Sequence, residues 1–494
     1  MKVINFFLPR IEYILFMAIF WGLAASGPRI LNFDGDLPRH LLLGQLIRET
    51  RSVSTTDTFS FRTQGFPSIP HEWLSQVMLS IANDLLGLSG VVLLTAILVT
   101  LTWAIVFHEA RRRSKQLLVS LIVTAIGVAA SLIHVLPRPH LFTYLLTALW
   151  LAVLERIREN KTRRWWLLPV LMIFWVNLHG MFVLGIAIIG IYLLGSFLES
   201  PSAEWFRLPS SRSMLLGGLL SLFATFLSPS GFHIWSAIAS LGSNAYITSH
   251  IPEYQSPDFH VPETWPFVLL LVLTILAFGR NTNKTAWTHI LLAVSFAAIA
   301  LYTSRMIPLF AIVIAPITAE GLASLLRQEF PQSRFLVIEK NISALNATSN
   351  GIIWILLLVT VVTVLFKAGR AIDPANKGNV FATNFFPVQA VNWLNSHPQK
   401  GHMFNEFDWG GYLLLKLSPR QQIFMDGHTH IYGEALTREY ETVLNPGKGW
   451  EKIFEKYEIT WAIIRRGRLL AGELIAQGWE PVYQDETTIV LIRK

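Results

Sequence analysis

About eleven stretches of this 494-residue chain approach the roughly 20 consecutive apolar residues needed to cross a hydrocarbon core. They lie at about 11–28, 89–108, 116–134, 140–155, 165–179, 181–198, 213–229, 264–279, 286–303, 306–325 and 351–367. A segment in lipid must pair its own backbone polar groups, and a helix does this within the segment. The expected fold class is therefore a polytopic α-helical membrane protein with about eleven transmembrane helices. Composition agrees: 52% of residues are hydrophobic and only 15% charged, against about 25% charged in soluble domains. No cysteine is present, which excludes disulfides, thiolate zinc sites and cysteine nucleophiles. The net charge of +8 would suggest nucleic acid in a soluble protein. Here the basic residues sit in short loops between apolar runs, so topology explains them and no nucleic-acid partner is expected.

Charge also orients the chain. With the N-terminus inside, the cytoplasmic segments hold 18 basic residues: Lys2, Arg10, Arg111, Arg112, Arg113, Lys115, Arg156, Arg158, Lys161, Arg163, Arg164, Arg207, Arg212, Arg280, Lys284, Arg327, Arg334 and Lys340. The outer segments before residue 368 hold 7: Arg29, Arg39, Arg48, Arg51, Arg62, Arg138 and Arg305. The positive-inside rule then places the C-terminal region outside. Lys2 and Arg10 before the run from Ile11 look like the start of a signal peptide, but no small-residue cleavage site follows, so an uncleaved first helix is expected. Two domains result: a membrane domain over 1–368, with a large first outer loop at 29–88, and an outer soluble α/β domain over 369–494. Within the loop, 71–87 reads as an interfacial helix because it carries Glu72 and Asp84. In the C-terminal domain, helices are expected at about 386–397, 434–444, 448–457 and 467–477. Strand-like runs occupy 422–425 and 461–464, and a hairpin over 481–492 turns at Asp485-Glu486.

The polar residues of the membrane half gather on the outer side. Asp34-Gly35-Asp36 follows the first span, with Arg39 and His40 a turn later. Carboxylates at a bilayer boundary are costly to desolvate and usually mark a functional site, although Asp also caps helices. Next come His134-Val135-Leu136-Pro137-Arg138-Pro139-His140, Asn177-Leu178-His179-Gly180, Ile251 to His260 with Glu253, and Ser304-Arg305. Each has a plain reading as well. Arg138 could snorkel to headgroups, His179-Gly180 could cap a helix, and Glu253 could be a solvated loop carboxylate. Clusters scattered at random would fall on both sides. Carboxylates for a hard cation, with Arg and His for phosphates, are what phosphoryl-linked sugar chemistry needs. In the C-terminal domain, Asp408-Trp409-Gly410-Gly411-Tyr412 suggests a turn entering a helix capped by Asp408. Asp426-Gly427-His428-Thr429-His430 reads as a turn with two histidines, a weak basis for a metal site.

On these residues the chain resembles the GT-C polytopic glycosyltransferases, which use polyprenyl-phosphate-linked sugar donors. Within them it looks most like the catalytic subunits of oligosaccharyltransferases. Their first-loop acidic motif resembles Asp34 and Asp36, and their Thr-Ile-x-Glu loop resembles Ser249-His250-Ile251-Pro252-Glu253. Their Trp-Trp-Asp-Tyr-Gly-Tyr motif resembles Asp408-Trp409-Gly410-Gly411-Tyr412, with Glu406-Phe407 standing where the Trp pair would be. No second-loop Asp is evident, so His134 or His140 would have to substitute. The chain also resembles uncharacterised bacterial membrane proteins that carry the same two motifs.

The resemblance implies an inverting transferase acting on the outer membrane face. Asp36 or Asp34 would be the general base, with Asp36 favoured because Pro38 fixes the chain beyond it. Arg138, Arg305 and His140 would bind the donor phosphate. A divalent cation (Mg or Mn), if one is used, would sit on Asp34, Asp36 and Glu253, while Trp409 and Tyr412 would form an aromatic shelf for the acceptor. Expected partners are a lipid-linked sugar donor, membrane lipids and an acceptor that is a glycan, lipid or protein. Two other readings stay open. A non-catalytic envelope protein with a carbohydrate- or partner-binding outer domain would tolerate loss of the acidic pair. A transporter of lipid-linked intermediates would need charged or broken spans in matching halves.

Overall fold

The computed structural model describes residues 7–202, 204–243, 246, 249, 251–279, 285–370, 372 and 378–494. Lys2, His250, Arg280 and Lys284 lie outside the described residues. Each of the eleven apolar stretches contains a helix: Ile11–Ala25, Leu88–Ser114, Leu117–Ser131, His140–Arg158, Leu167–Leu178, Val183–Glu199, Pro209–Ala224, Trp265–Gly279, Trp287–Tyr302, Ile307–Glu329 and Ile353–Lys367. Among the described residues, six helical stretches are long and apolar enough to cross a membrane on their own. A seventh follows if Arg334–Thr348 and Ile353–Lys367, bent by 73°, form one span. Ile11–Ala25, Leu167–Leu178 and Trp287–Tyr302 are apolar but shorter. The 12 residues of Leu167–Leu178 rise only about 18 Å, less than a hydrocarbon core of about 30 Å. The helix Ile307–Glu329 is the spine. Its residues from Ile307 to Ala319 are all buried, and it packs on Leu88–Ser114, Leu117–Ser131 and Trp265–Gly279.

Polar contacts sort the helix ends into two sets. At one end Glu155 pairs with Arg113 at 2.7 Å and His289 at 3.0 Å, and accepts from Tyr192 Oη at 2.6 Å. There too Glu109 holds Arg112 and Arg156, and Glu12 holds Arg111. Glu339 caps the helix Leu117–Ser131 from across the bundle, accepting from Leu117 N at 2.6 Å and Leu118 N at 2.7 Å. This satisfies N–H groups that every helix start leaves without a partner. The other end carries Asp34, Glu72, Arg138, His179, Glu253 and Arg305, and onto it the C-terminal domain docks.

The C-terminal domain is a sheet between two helical layers. Strands β1 (His402–Asn405), β2 (Ile459–Arg465), β3 (Glu480–Gln484) and β4 (Thr488–Ile492) lie in the order β1-β2-β4-β3. β1 and β2 are parallel, and the other pairs antiparallel. Side chains alternate along β2, as the period of two requires. Trp461 and Ile463 face the layer holding Val391, Leu394 and Leu413, while Ala462 and Ile464 face the layer holding Tyr440, Phe454 and Leu474. The expected hairpin is β3–β4. The stretch 422–425 is not a strand of this sheet: Ile423 to Met425 are fully buried, but Ile423 only bridges to Ser60 of the first loop.

That bridge belongs to a larger contact. Phe59 packs into one core layer and Phe61 against the other. Ser60 Oγ donates to Phe424 O at 3.2 Å, and Ile423 N donates to Phe59 O at 3.0 Å. Arg62 donates to Leu436 O and Glu439, both at 2.8 Å, and its guanidinium lies 4.0 Å from the centroid of the Phe424 ring. The first loop is thus built into the C-terminal domain. The expected interfacial helix is Trp73–Leu86, which packs on Leu37–Thr50.

Candidate functional site

The site begins with two glycines that let two backbones meet. A Cβ on Gly411 would come within 2.6 Å of Gly35 O and 3.2 Å of Arg39 N. Only a residue without a side chain allows the helix Gly410–Leu417 to start against the Asp34-Gly35-Asp36 turn. This is what the Asp408-Trp409-Gly410-Gly411-Tyr412 motif does. The expected acceptor shelf is not formed, because Trp409 and Tyr412 are buried at 0% and 3% exposure. Trp409 Nε1 donates to Phe385 O at 2.7 Å, and Tyr412 packs on Phe381 and Phe386. Asp408 makes no capping hydrogen bond and instead pairs with Arg465 at 3.2 Å.

Around the turn, four of the sequence-expected residues come together. Asp34 is buried and accepts from Asp36 N at 3.0 Å, while Arg138 grips both of its carboxylate oxygens. Arg138 Nη1 reaches Asp36 Oδ2 at 3.2 Å and Glu253 Oε2 at 3.8 Å. Glu253 Oε1 lies 3.0 Å from Arg305 Nη1, which also donates to Tyr254 Oη at 2.8 Å. Arg305 therefore joins the cluster through Glu253. His140 lies behind it: its Nε2 donates to His134 O at 3.1 Å, and the two rings are 4.5 Å apart. Among the described residues, His134 Nε2 and His140 Nδ1 find no hydrogen-bond partner although both residues are buried.

Asp36 is the exposed member, with 28% of its side chain open against 2% for Asp34. Burial by the surrounding segments pushes its carboxyl up. Arg138 opposes this, and repulsion from Asp34, Asp426 and Glu253 adds to it, leaving Asp36 at about 7. Burial also works against Asp34, but the guanidinium of Arg138 outweighs it and holds Asp34 below the usual carboxylate range. Two adjacent acids thus titrate apart, one a fixed anion and the other poised near neutrality.

The sequence under-read the contribution of the C-terminal domain. A Cβ on Gly427 would collide with the Asp36 carboxylate, so this glycine lies directly against it. Asp426 beside it is fully buried and pairs with Arg39, which also faces Asp57 at 3.6 Å. Arg39 Nη2 lies 2.9 Å from His428 Nδ1. Because arginine can only donate, Nδ1 must accept, which leaves the proton of the neutral ring on Nε2. Burial, with His430 and Arg39 nearby, keeps His428 well below its usual range and neutral. His430 stacks edge-on to His428 with rings 3.9 Å apart, and lies 5.7 Å from His71. Glu72 faces His71 at 3.7 Å and His179 at 3.5 Å. Trp175 Nε1 donates to Thr143 Oγ1, so the hydroxyl is free to donate to His179 Nδ1 at 2.8 Å. The available signal was the Asp-Gly-His-x-His motif, whose place beside Asp36 depends on a contact about 390 positions away in sequence.

These carboxylates do not fit a divalent cation as they stand. Such an ion needs oxygen lone pairs aimed at one point. Both Asp34 oxygens accept from Arg138, whose Nη1 also faces Asp36 and Glu253. Among the described residues, no three His, Asp or Glu side chains form a group able to hold a metal ion.

No family model matches the chain, and no curated protein matches it in sequence. Solved structures do match in shape. An archaeal oligosaccharyltransferase AglB from Archaeoglobus fulgidus, in complex with an inhibitory peptide and a dolichol-phosphate, aligns with a TM-score of 0.55 at 11% identity, covering 92% of this chain and 69% of that one. An oligosaccharyltransferase from the same organism in apo form aligns at 0.51, and its form tethered to an acceptor peptide containing the NVT sequon at 0.54. Both are 11% identical, with coverage of 91% and 69%. The chain thus shares the fold of these oligosaccharyltransferases, in line with the layout the sequence resemblance implies.

Proposed function

We propose that this protein is an integral-membrane glycosyltransferase that moves a sugar from a polyprenyl-phosphate-linked donor to an acceptor at the outer face of a prokaryotic plasma membrane. One observation carries the reading. In an oligosaccharyltransferase-like fold, the partly open Asp36 carboxylate sits where the first loop, Arg138 of the second loop and Gly427 of the C-terminal domain meet. The neighbouring structures were solved with dolichol-phosphate and with an acceptor peptide, which supports a lipid-linked donor and a separate acceptor here.

In the proposed reaction an acceptor O–H or N–H gives its proton to Asp36 as its heteroatom bonds to the anomeric carbon. The bond from that carbon to the phosphate oxygen breaks, and its electron pair leaves on the lipid phosphate, with inversion at carbon. Arg138 and Arg305 offset the charge developing on that phosphate. The orphaned His134 Nε2 and His140 Nδ1 are polar atoms that a bound donor can satisfy. His428 Nε2–H, locked in its tautomer by Arg39, offers a neutral donor to a sugar or acceptor oxygen. The domain assignment is 1–368 for the membrane half and 369–494 for an outer domain that completes the site through 426–430. A panel of polyprenyl-phosphate sugars, incubated with purified protein and envelope glycan, lipid or protein acceptors, tests the reading. Transfer from at least one donor is expected. Release of lipid phosphate from none, with the protein folded, would refute it.

A further inference from the structure

We propose that Arg138 takes the place of a divalent cation in this site, so that the guanidinium itself bridges the three carboxylates and the transferase works without metal. The inference rests on the transferase reading above for its activity arm, and on geometry alone for its binding arm. Arg138 presents its Nε and Nη2 to the two oxygens of Asp34 in a fork. Its Nη1 turns to Asp36 Oδ2 at 3.2 Å and Glu253 Oε2 at 3.8 Å. One planar cation thus stands at the centre of Asp34, Asp36 and Glu253, the set to which the sequence resemblance assigns an ion.

The surrounding chain keeps it there. Pro137 and Pro139 restrict the backbone on either side, and Arg138 N closes a tight turn onto Leu136 O at 2.8 Å. Asp34 is in turn fixed by the backbone N–H of Asp36 at 3.0 Å. Two guanidiniums, Arg138 and Arg305, face three carboxylates, so the charges nearly balance once Asp36 takes up a proton. A divalent ion brought to the same oxygens would add two positive charges beside a guanidinium that cannot be deprotonated. The guanidinium matches what the ion would supply: a fixed positive charge beside the departing phosphate, with N–H donors for its oxygens.

The test reads metal binding directly. Chelator-treated protein is titrated with Mn²⁺ and the free ion is followed by electron paramagnetic resonance. The wild type is expected to take up none at millimolar Mn²⁺. Arg138→Gln frees the three carboxylates and is expected to gain one site per chain, lost again in Asp36→Asn/Arg138→Gln. A wild-type site of one Mn²⁺ per chain that disappears in Asp36→Asn overturns the proposal, as does a folded Arg138→Gln that still binds none. If Arg138→Gln does not fold, the wild-type titration decides alone. In the activity arm, chelated wild type is expected to keep its full rate, and a loss restored by Mn²⁺ or Mg²⁺ contradicts it. Absence of transfer with every donor would strike the transferase reading and leave the Mn²⁺ result standing.

Discussion

At the scale of the residue, the role proposed for Asp36 rests on surroundings that separate it from Asp34. With its carboxyl at about 7, the free-enzyme rate should climb with pH and level off above that value, since a base must be ionised. A profile of kcat/KM flat from mildly acid to mildly alkaline pH would contradict this. The same shift fixes a sign for stability. Folding raises this pKa, so the contribution of Asp36 to stability is present below the ordinary carboxylate range and is lost as pH rises through about 7. At alkaline pH the purified Asp36→Asn protein should therefore melt at or above the wild-type temperature, and a clearly lower Tm would show that the anion is structurally required. The acidic pair was legible in the sequence because two carboxylates beside an apolar span are rare. The division of labour between them was not, because it comes from Arg138, about 100 positions downstream.

At the scale of the element, the glycine-rich seats between the first loop and the C-terminal domain place Asp36. Gly427→Ala puts a methyl group into the Asp36 carboxylate and should cost on the order of 10²-fold in kcat with the protein still folded, as small displacements of reacting groups do. Kinetics on the purified variant check this, and an unchanged kcat would mean that the seat is looser than described. Trp409 behaves differently. Its burial and its bond to Phe385 O predict that Trp409→Ala loses about 3–5 kcal/mol of stability without a selective rise in acceptor KM. Thermal melts and acceptor titrations separate those outcomes, and a KM effect with normal stability would restore the shelf. The glycines were legible as a turn entering a helix. Their purpose was not, because the surface they meet is Gly35 and Arg39, which no local pattern links to residues 410–411.

At the scale of the whole molecule, the two ends of the bundle carry the topology. All eleven apolar stretches contain helices, and the described ion pairs gather at two ends, one around Glu155 and Arg113 and the other around Asp34 and Arg138. A reporter active only outside the cytoplasm should be active when fused after Lys494 and silent after Lys115. The reverse would move the site to the cytosolic face. Apolar runs made the helical plan legible, because lipid imposes them on the sequence directly. The threading of Phe59 to Arg62 into the C-terminal core was not legible. Ser60 meets Phe424 across a separation of 364 residues, and a loop docked by two aromatic rings has no period to read. The proposed chemistry stands on the one side chain of Asp36. Wild type and Asp36→Asn, purified alike and given the same polyprenyl-phosphate sugar and acceptor, should differ by roughly 10²–10⁴-fold in turnover. Equal turnover by the two proteins would contradict the account.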